Sequence, residues 1–158
     1  MCGPLGPLPQ RRHIRTEQID VPDLASGPLN LAVEANGNFV VTDGGLVAVI
    51  RVDSASGNRT IVSGIGVGTG PDFRSPLSIA VESNGNLVVI DFSLLAAMRI
   101  DPVSGNRTIV SGIGVGTGPG FEAPLSLAVQ ANGYFAVGDA GLERVFQVNP
   151  VNGNRTIS

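Results

Sequence analysis

Residues 76–123 read PLSIAVESNGNLVVIDFSLLAAMRIDPVSGNRTIVSGIGVGTGPGFEA, and most of the remaining chain is a copy of them. The copy that begins 48 residues earlier, at Pro28, reads PLNLAVEANGNFVVTDGGLVAVIRVDSASGNRTIVSGIGVGTGPDFRS. The copy that begins 48 residues later, at Pro124, reads PLSLAVQANGYFAVGDAGLERVFQVNPVNGNRTIS. Asn58–Pro71 and Asn106–Pro119 are identical. A fixed period of this length is the signature of a repeat architecture, so the fold follows from one unit. The sequence divides into a non-repeating tail at 1–27, in which Ile14–Val21 is expected to form an orphan strand of a preceding blade, and repeats at 28–75, 76–123 and 124–158, the last one shorter.

Four extended segments are legible in the middle repeat. Leu77–Glu82 is a short apolar run followed by Asn84-Gly85, a hairpin signal in which both turn positions are expected to take positive φ. Asn86–Ile90 is almost wholly apolar and rich in β-branched residues, as a strand covered on both faces should be. Leu95–Ile100 follows and ends at Asp101-Pro102-Val103-Ser104-Gly105, where Pro and Gly take their usual turn roles. Arg107–Ser111 precedes the glycine-rich GIGVGTGP. Leu94–Met98 has helical propensity but aligns with the β-branched Leu46–Ile50, so it is assigned to strand.

Four antiparallel strands per unit, joined by tight turns, make a β-propeller blade. The pattern P-x-x-[IL]-A-V-E-x-N-G-N-[FL]-V-V-x-D, followed by R-[VI]-D-x-x-[ST]-G, resembles NHL-type repeats. These are related to the six-bladed gluconolactonase and streptogramin-lyase propellers. The resemblance covers 28–158 and is strongest at GLERVFQVNPVNG in the third repeat. Asn30, Ser78 and Ser126 stand where such repeats usually carry glycine. The resemblance implies an all-β fold with about three blades, half of a six-bladed ring. It further implies that Asp43, Asp91 and Asp139 share a face with the GIGVGTGP loops, where ligands bind, while the Asn-Gly hairpins and the Ser-Gly-Asn turns lie opposite.

Composition removes several function classes. A net charge of −3 gives no basic field for nucleic acid or anionic lipid. All ten cationic residues are Arg, so no Lys is present for a Schiff base or a phosphate loop. Cys2 is the single cysteine and has no internal disulfide partner. No apolar run reaches the roughly 18–20 residues of a membrane helix, and the N-terminal stretch lacks the apolar core of a signal peptide. The compartment is left open by the sequence.

Each candidate for chemistry has a structural alternative. Asp43, Asp91 and Asp139 recur at the end of the second strand and can form an acidic ring for Ca²⁺ or Mg²⁺. Their structural role is to accept backbone hydrogen bonds at a turn, and this is the expected one, with no metal or cofactor. Glu34, Glu82 and Gln130 are equivalent, and the change to Gln argues against an essential carboxylate in every blade. GIGVGTGP lacks the GK[ST] ending of a phosphate loop and reads as a flexible inter-blade connection. His13 is the only histidine and lies outside the repeats, which disfavours streptogramin-lyase chemistry. Asn58-Arg59-Thr60 and its two counterparts match an N-glycosylation acceptor but also suit a turn. The variable loop positions Asp72-Phe73-Arg74 and Gly120-Phe121-Glu122 are expected to shape ligand binding.

The resulting expectation is a non-catalytic binding or scaffolding module for a protein or small molecule. The alternative is a metal-dependent lactonase of the gluconolactonase kind. Three blades cannot close a ring, since propellers have at least about four. Closure by a second copy into a homodimer and membership of a longer chain both satisfy this constraint.

Overall fold

The computed structural model describes residues 27–158. The strand expected at 14–21, His13 and Cys2 lie outside them. Three four-stranded antiparallel sheets follow one another along the chain, and no helix occurs among the described residues. The first sheet comprises β1 (Pro28–Val33), β2 (Phe39–Asp43), β3 (Ala48–Val52) and β4 (Arg59–Ser63). The second has β5 (Pro76–Val81), β6 (Leu87–Asp91), β7 (Ala96–Ile100) and β8 (Arg107–Ser111). The third has β9 (Pro124–Val129), β10 (Phe135–Asp139), β11 (Arg144–Val148) and β12 (Arg155–Ile157). Within each sheet the strands lie in chain order, and β1, β5 and β9 pack beside one another. Met98 is a fully buried strand residue, so the helical propensity around it yields to tertiary packing.

Burial of β6 explains its apolar sequence. Leu87 and Val89 pack with Val40, Val49, Met98 and Ile100 in a core shared with the first sheet. The alternate residues Val88 and Ile90 pack with Phe135, Val137, Phe146 and Val148 in a core shared with the third. Because side chains alternate across a strand, a strand between two neighbours must be apolar at every position. Each large aliphatic side chain removed from water here contributes about 1.5–3 kcal/mol. The outer faces of the end sheets keep exposed apolar residues, among them Leu31, Val33 and Phe39 on the first and Leu125 and Val145 on the third.

The Asn-Gly hairpins differ from expectation. Only the glycines, Gly37, Gly85 and Gly133, take positive φ; the preceding asparagines do not. Gly37 N–H donates to Glu34 O at 2.8 Å and Glu34 N–H to Asn38 O at 2.8 Å, giving a three-residue loop closed by a left-handed glycine. The asparagine is used through its side chain instead, since Asn36 Oδ1 accepts from Asn38 N–H at 2.9 Å.

The glycine-rich loops are not loose connections. Gly64 and Val67 exchange two backbone hydrogen bonds of 3.2 and 3.1 Å, which folds the loop on itself. Thr69 O then accepts from Arg107 N–H at 2.7 Å, and Thr69 N–H donates to Asn106 Oδ1 at 2.9 Å. The expected separation of these loops from the Ser-Gly-Asn turns is therefore overturned, because Ser104-Gly105-Asn106 packs directly on the preceding loop. Sheet twist accumulates from the first to the fourth strand, so the end of β4 meets the start of β8.

A Cβ on Gly68 would run into Gly105 O, and one on Gly116 into Gly153 O. Gly114 also has positive φ, at 78°, but open space around it. Gly114→Ala is expected to cost about 1 kcal/mol, the left-handed penalty alone. Gly116→Ala should cost about 2–4 kcal/mol, since backbone must also separate from backbone. Denaturant unfolding of the two variants measures this, and equal losses would contradict the close approach.

Candidate functional site

The β2–β3 turn of each blade is organised by its aspartate. Asp43 Oδ1 accepts from Gly45 N–H and Leu46 N–H, both at 2.9 Å. Asp91 adds the incoming loop: Oδ1 accepts from Leu94 N–H at 3.0 Å, and Oδ2 accepts from Arg74 N–H at 2.7 Å and Ser75 N–H at 3.0 Å. Asp139 repeats this with Glu122, Ala123, Gly141 and Leu142, at 2.8–3.1 Å. All three aspartates are buried, and Asp43 Oδ2 has no hydrogen-bond partner among the described residues. The turn also drives Val47, Leu95 and Glu143 into left-handed backbone, with φ near 50°.

Electrostatics at Asp139 follow from this geometry. Burial is the largest single influence and pushes its carboxyl up, but the four backbone N–H groups together outweigh it and hold the carboxyl below its ordinary value. A depressed carboxyl contributes stability above about pH 4 that is lost as the pH falls through its folded-state value.

The loop candidates divide by burial. Phe73 and Phe121 are 7% and 6% exposed, so they belong to the inter-blade packing and not to an open ligand surface. Arg74 and Glu122 are exposed, and the Asp72 side chain is 97% exposed. Among the described residues no three His, Cys, Asp or Glu side chains come together as a metal-binding group.

Sequence reasoning missed Arg107 and Arg155, the first residues of β8 and β12. Arg107 is buried on the preceding loop, where Nε donates to Pro71 O at 2.7 Å and Nη1 to Ser63 Oγ and Val67 O at 2.9 and 3.0 Å. Ser63 Oγ donates in turn to Gly105 O at 2.7 Å. The guanidinium lies 5.4 Å from the centre of the Phe73 ring. Arg155 repeats the arrangement with Pro119, Ser111, Val115 and Phe121. The available signal was an Arg recurring at one strand position in every repeat. Arg59, its counterpart in the first sheet, is exposed.

Glu34 and Glu82 directly follow β1 and β5 and form fork-to-fork pairs with Arg51 and Arg99, with bonds of 2.6–2.7 Å. In the third repeat both partners change together, to Gln130 and Gln147. The carboxylate therefore disappears along with the cation it pairs with.

Comparison with solved structures places this arrangement. A catalytically inactive virginiamycin B lyase from Staphylococcus aureus, with quinupristin, superposes on 87% of this chain and 42% of its own, with a TM-score of 0.67 and 14% identity. A chain of the nidogen/laminin complex matches 82% of this chain and 47% of its own, with a TM-score of 0.66 and 17% identity. A protein assigned as a gluconolactonase matches 81% of this chain and 47% of its own, with a TM-score of 0.61 and 15% identity. The three sheets are β-propeller blades. At these identities the likeness establishes the fold, and this chain spans less than half the length of each of the three. No family model and no curated protein matches the sequence.

Asp139→Asn replaces one acceptor oxygen by an amide that opposes the backbone donors. It is expected to lower stability at pH 7 by about 1–3 kcal/mol. The gap to the unsubstituted protein should narrow below about pH 4, where its carboxylate protonates. Urea unfolding across pH 3–7 checks this; a gap independent of pH would show that the charge is not what the turn uses.

Proposed function

We propose that these NHL-like blades form a binding or scaffolding module that does not catalyse a reaction. The observation that carries this reading is how the recurring carboxylates are used. At Asp91 and Asp139 both oxygens are occupied by N–H groups of their own blade's loops. A carboxylate occupied in this way is a poor cation ligand or general base, because each lost backbone bond leaves a buried donor unsatisfied. Loop positions such as Asp72/Gly120 and Arg74/Glu122 also differ between repeats, in charge as well as in size. Loop variation on a rigid scaffold is the usual way a repeat fold acquires a ligand.

The second reading, a metal-dependent lactonase, draws on one observation, the buried Asp43 Oδ2 without a partner among the described residues. Titration calorimetry with Ca²⁺ and Mg²⁺, together with a lactone hydrolysis assay, separates the two. The module reading predicts no stoichiometric metal binding and no turnover above the uncatalysed rate. Stoichiometric binding lost in Asp43→Asn, accompanied by metal-dependent turnover, would replace it with the enzyme.

A further inference from the structure

The two glycine-rich loops are nearly identical in sequence but differ at the residue beside the buried arginine. In the first, Arg107 Nη2 donates to Asp72 Oδ1 at 3.3 Å, and the two residues line one cavity. In the second the equivalent residue is Gly120. Arg155 is only 7% exposed. Its Nε donates to Pro119 O at 2.7 Å, and its Nη1 to Ser111 Oγ at 2.7 Å, Val115 O at 3.0 Å and Gly112 O at 3.4 Å. Its Nη2 makes no hydrogen bond among the described residues. The side chain lines a cavity of about 260 Å³ whose other walls include Leu95, Ile113, Gly116 and Phe121.

A guanidinium keeps its charge at every accessible pH, so Arg155 cannot relieve its burial by losing a proton. Burial pulls its pKa down. The carbonyls around it satisfy donors but carry no full negative charge, and Nη2, the amino group they leave unpaired, is not fully buried and can be reached from solvent. The blade before it shows such a partner, the carboxylate of the solvent-exposed Asp72 at 3.3 Å from Nη2. Gly120 leaves that place open, since a Cβ built there meets nothing within 4 Å. A carboxylate can accept from Nη2 through a charge-assisted hydrogen bond, and the Leu95, Ile113 and Phe121 walls favour a short hydrocarbon substituent.

We propose that the socket between the second and third blades binds a small monocarboxylate on Arg155 Nη2, in the place that Asp72 fills one blade earlier. The site uses none of the aspartate carboxylates, so it stands whether or not the protein catalyses a reaction.

The test uses the full chain and propionate, with the Arg Nε–H resonances followed by NMR at constant ionic strength. Arg155 is expected to shift saturably in the millimolar range while Arg107 stays still. Gly120→Asp, which supplies the carboxylate in cis, should weaken the response at least about tenfold. Asp72→Gly should give Arg107 the response that Arg155 shows. Gly120 is not in left-handed backbone, so Gly120→Asp is expected to fold normally. Arg155 resonances that fail to saturate in the unsubstituted protein would overturn the proposal. So would a response unchanged by Gly120→Asp, or an equal shift with the same concentration of chloride.

Discussion

The arrangement of the blades depends on one contact, the seating of each glycine-rich loop against the fourth strand of the next blade. Backbone meets backbone there without room for a Cβ, at Gly68 on Gly105 and at Gly116 on Gly153. The following arginine then enters the loop and satisfies its carbonyls, while a serine bridges the guanidinium to the approaching turn. The hydrophobic clusters supply most of the favourable energy but are non-directional. The loop, the serine and the arginine fix how one blade sits on the next, because each partner has a single geometry that satisfies it. That dependence gives a physical reason for the identity of Asn58–Pro71 and Asn106–Pro119, since the same junction is built twice.

The backbone of the junction is repeated while side chains at its edge differ between repeats. Asp72 and Gly120 are one such pair, and Arg74 and Glu122 another. The aspartate turns are similarly committed, with carboxylates held by their own loops. What the blades leave open to solvent are the loop edges and the outer faces of the end sheets, where Leu31, Val33, Leu125 and Val145 are exposed. The solved propellers that resemble it include a lyase and a nidogen/laminin complex, which shows how little the blade itself dictates about function.

Much of the fold was legible in the sequence because its signals are local. The period, the alternation in the strands and the turn residues each follow from neighbours within a few positions, and β8 at Arg107–Ser111 was read to the residue. The Asn-Gly turns were misread because the same dipeptide serves both a two-residue turn and a three-residue loop with one left-handed glycine. The separation of loop and turn failed for a different reason: sheet twist brings together residues roughly 40 apart in the chain, as in Ser63 with Gly105. Arg107 and Arg155 stayed hidden for the same cause. An arginine opening a strand normally faces solvent, and only the contact with another blade turns it inward. Phe73 and Phe121, read as ligand positions, are buried in the inter-blade clusters, with Arg107 and Arg155 over their respective rings.

The claim that arginine and serine lock neighbouring blades as a unit is tested most directly by a double-mutant cycle. Stability would be measured for Ser111→Ala, Arg155→Met and the pair together. The account predicts a coupling of about 1–3 kcal/mol, because either substitution alone leaves its partner buried without its bond. Losses that add to within about 0.3 kcal/mol would mean that the two residues act independently and that the junction is held by apolar packing alone.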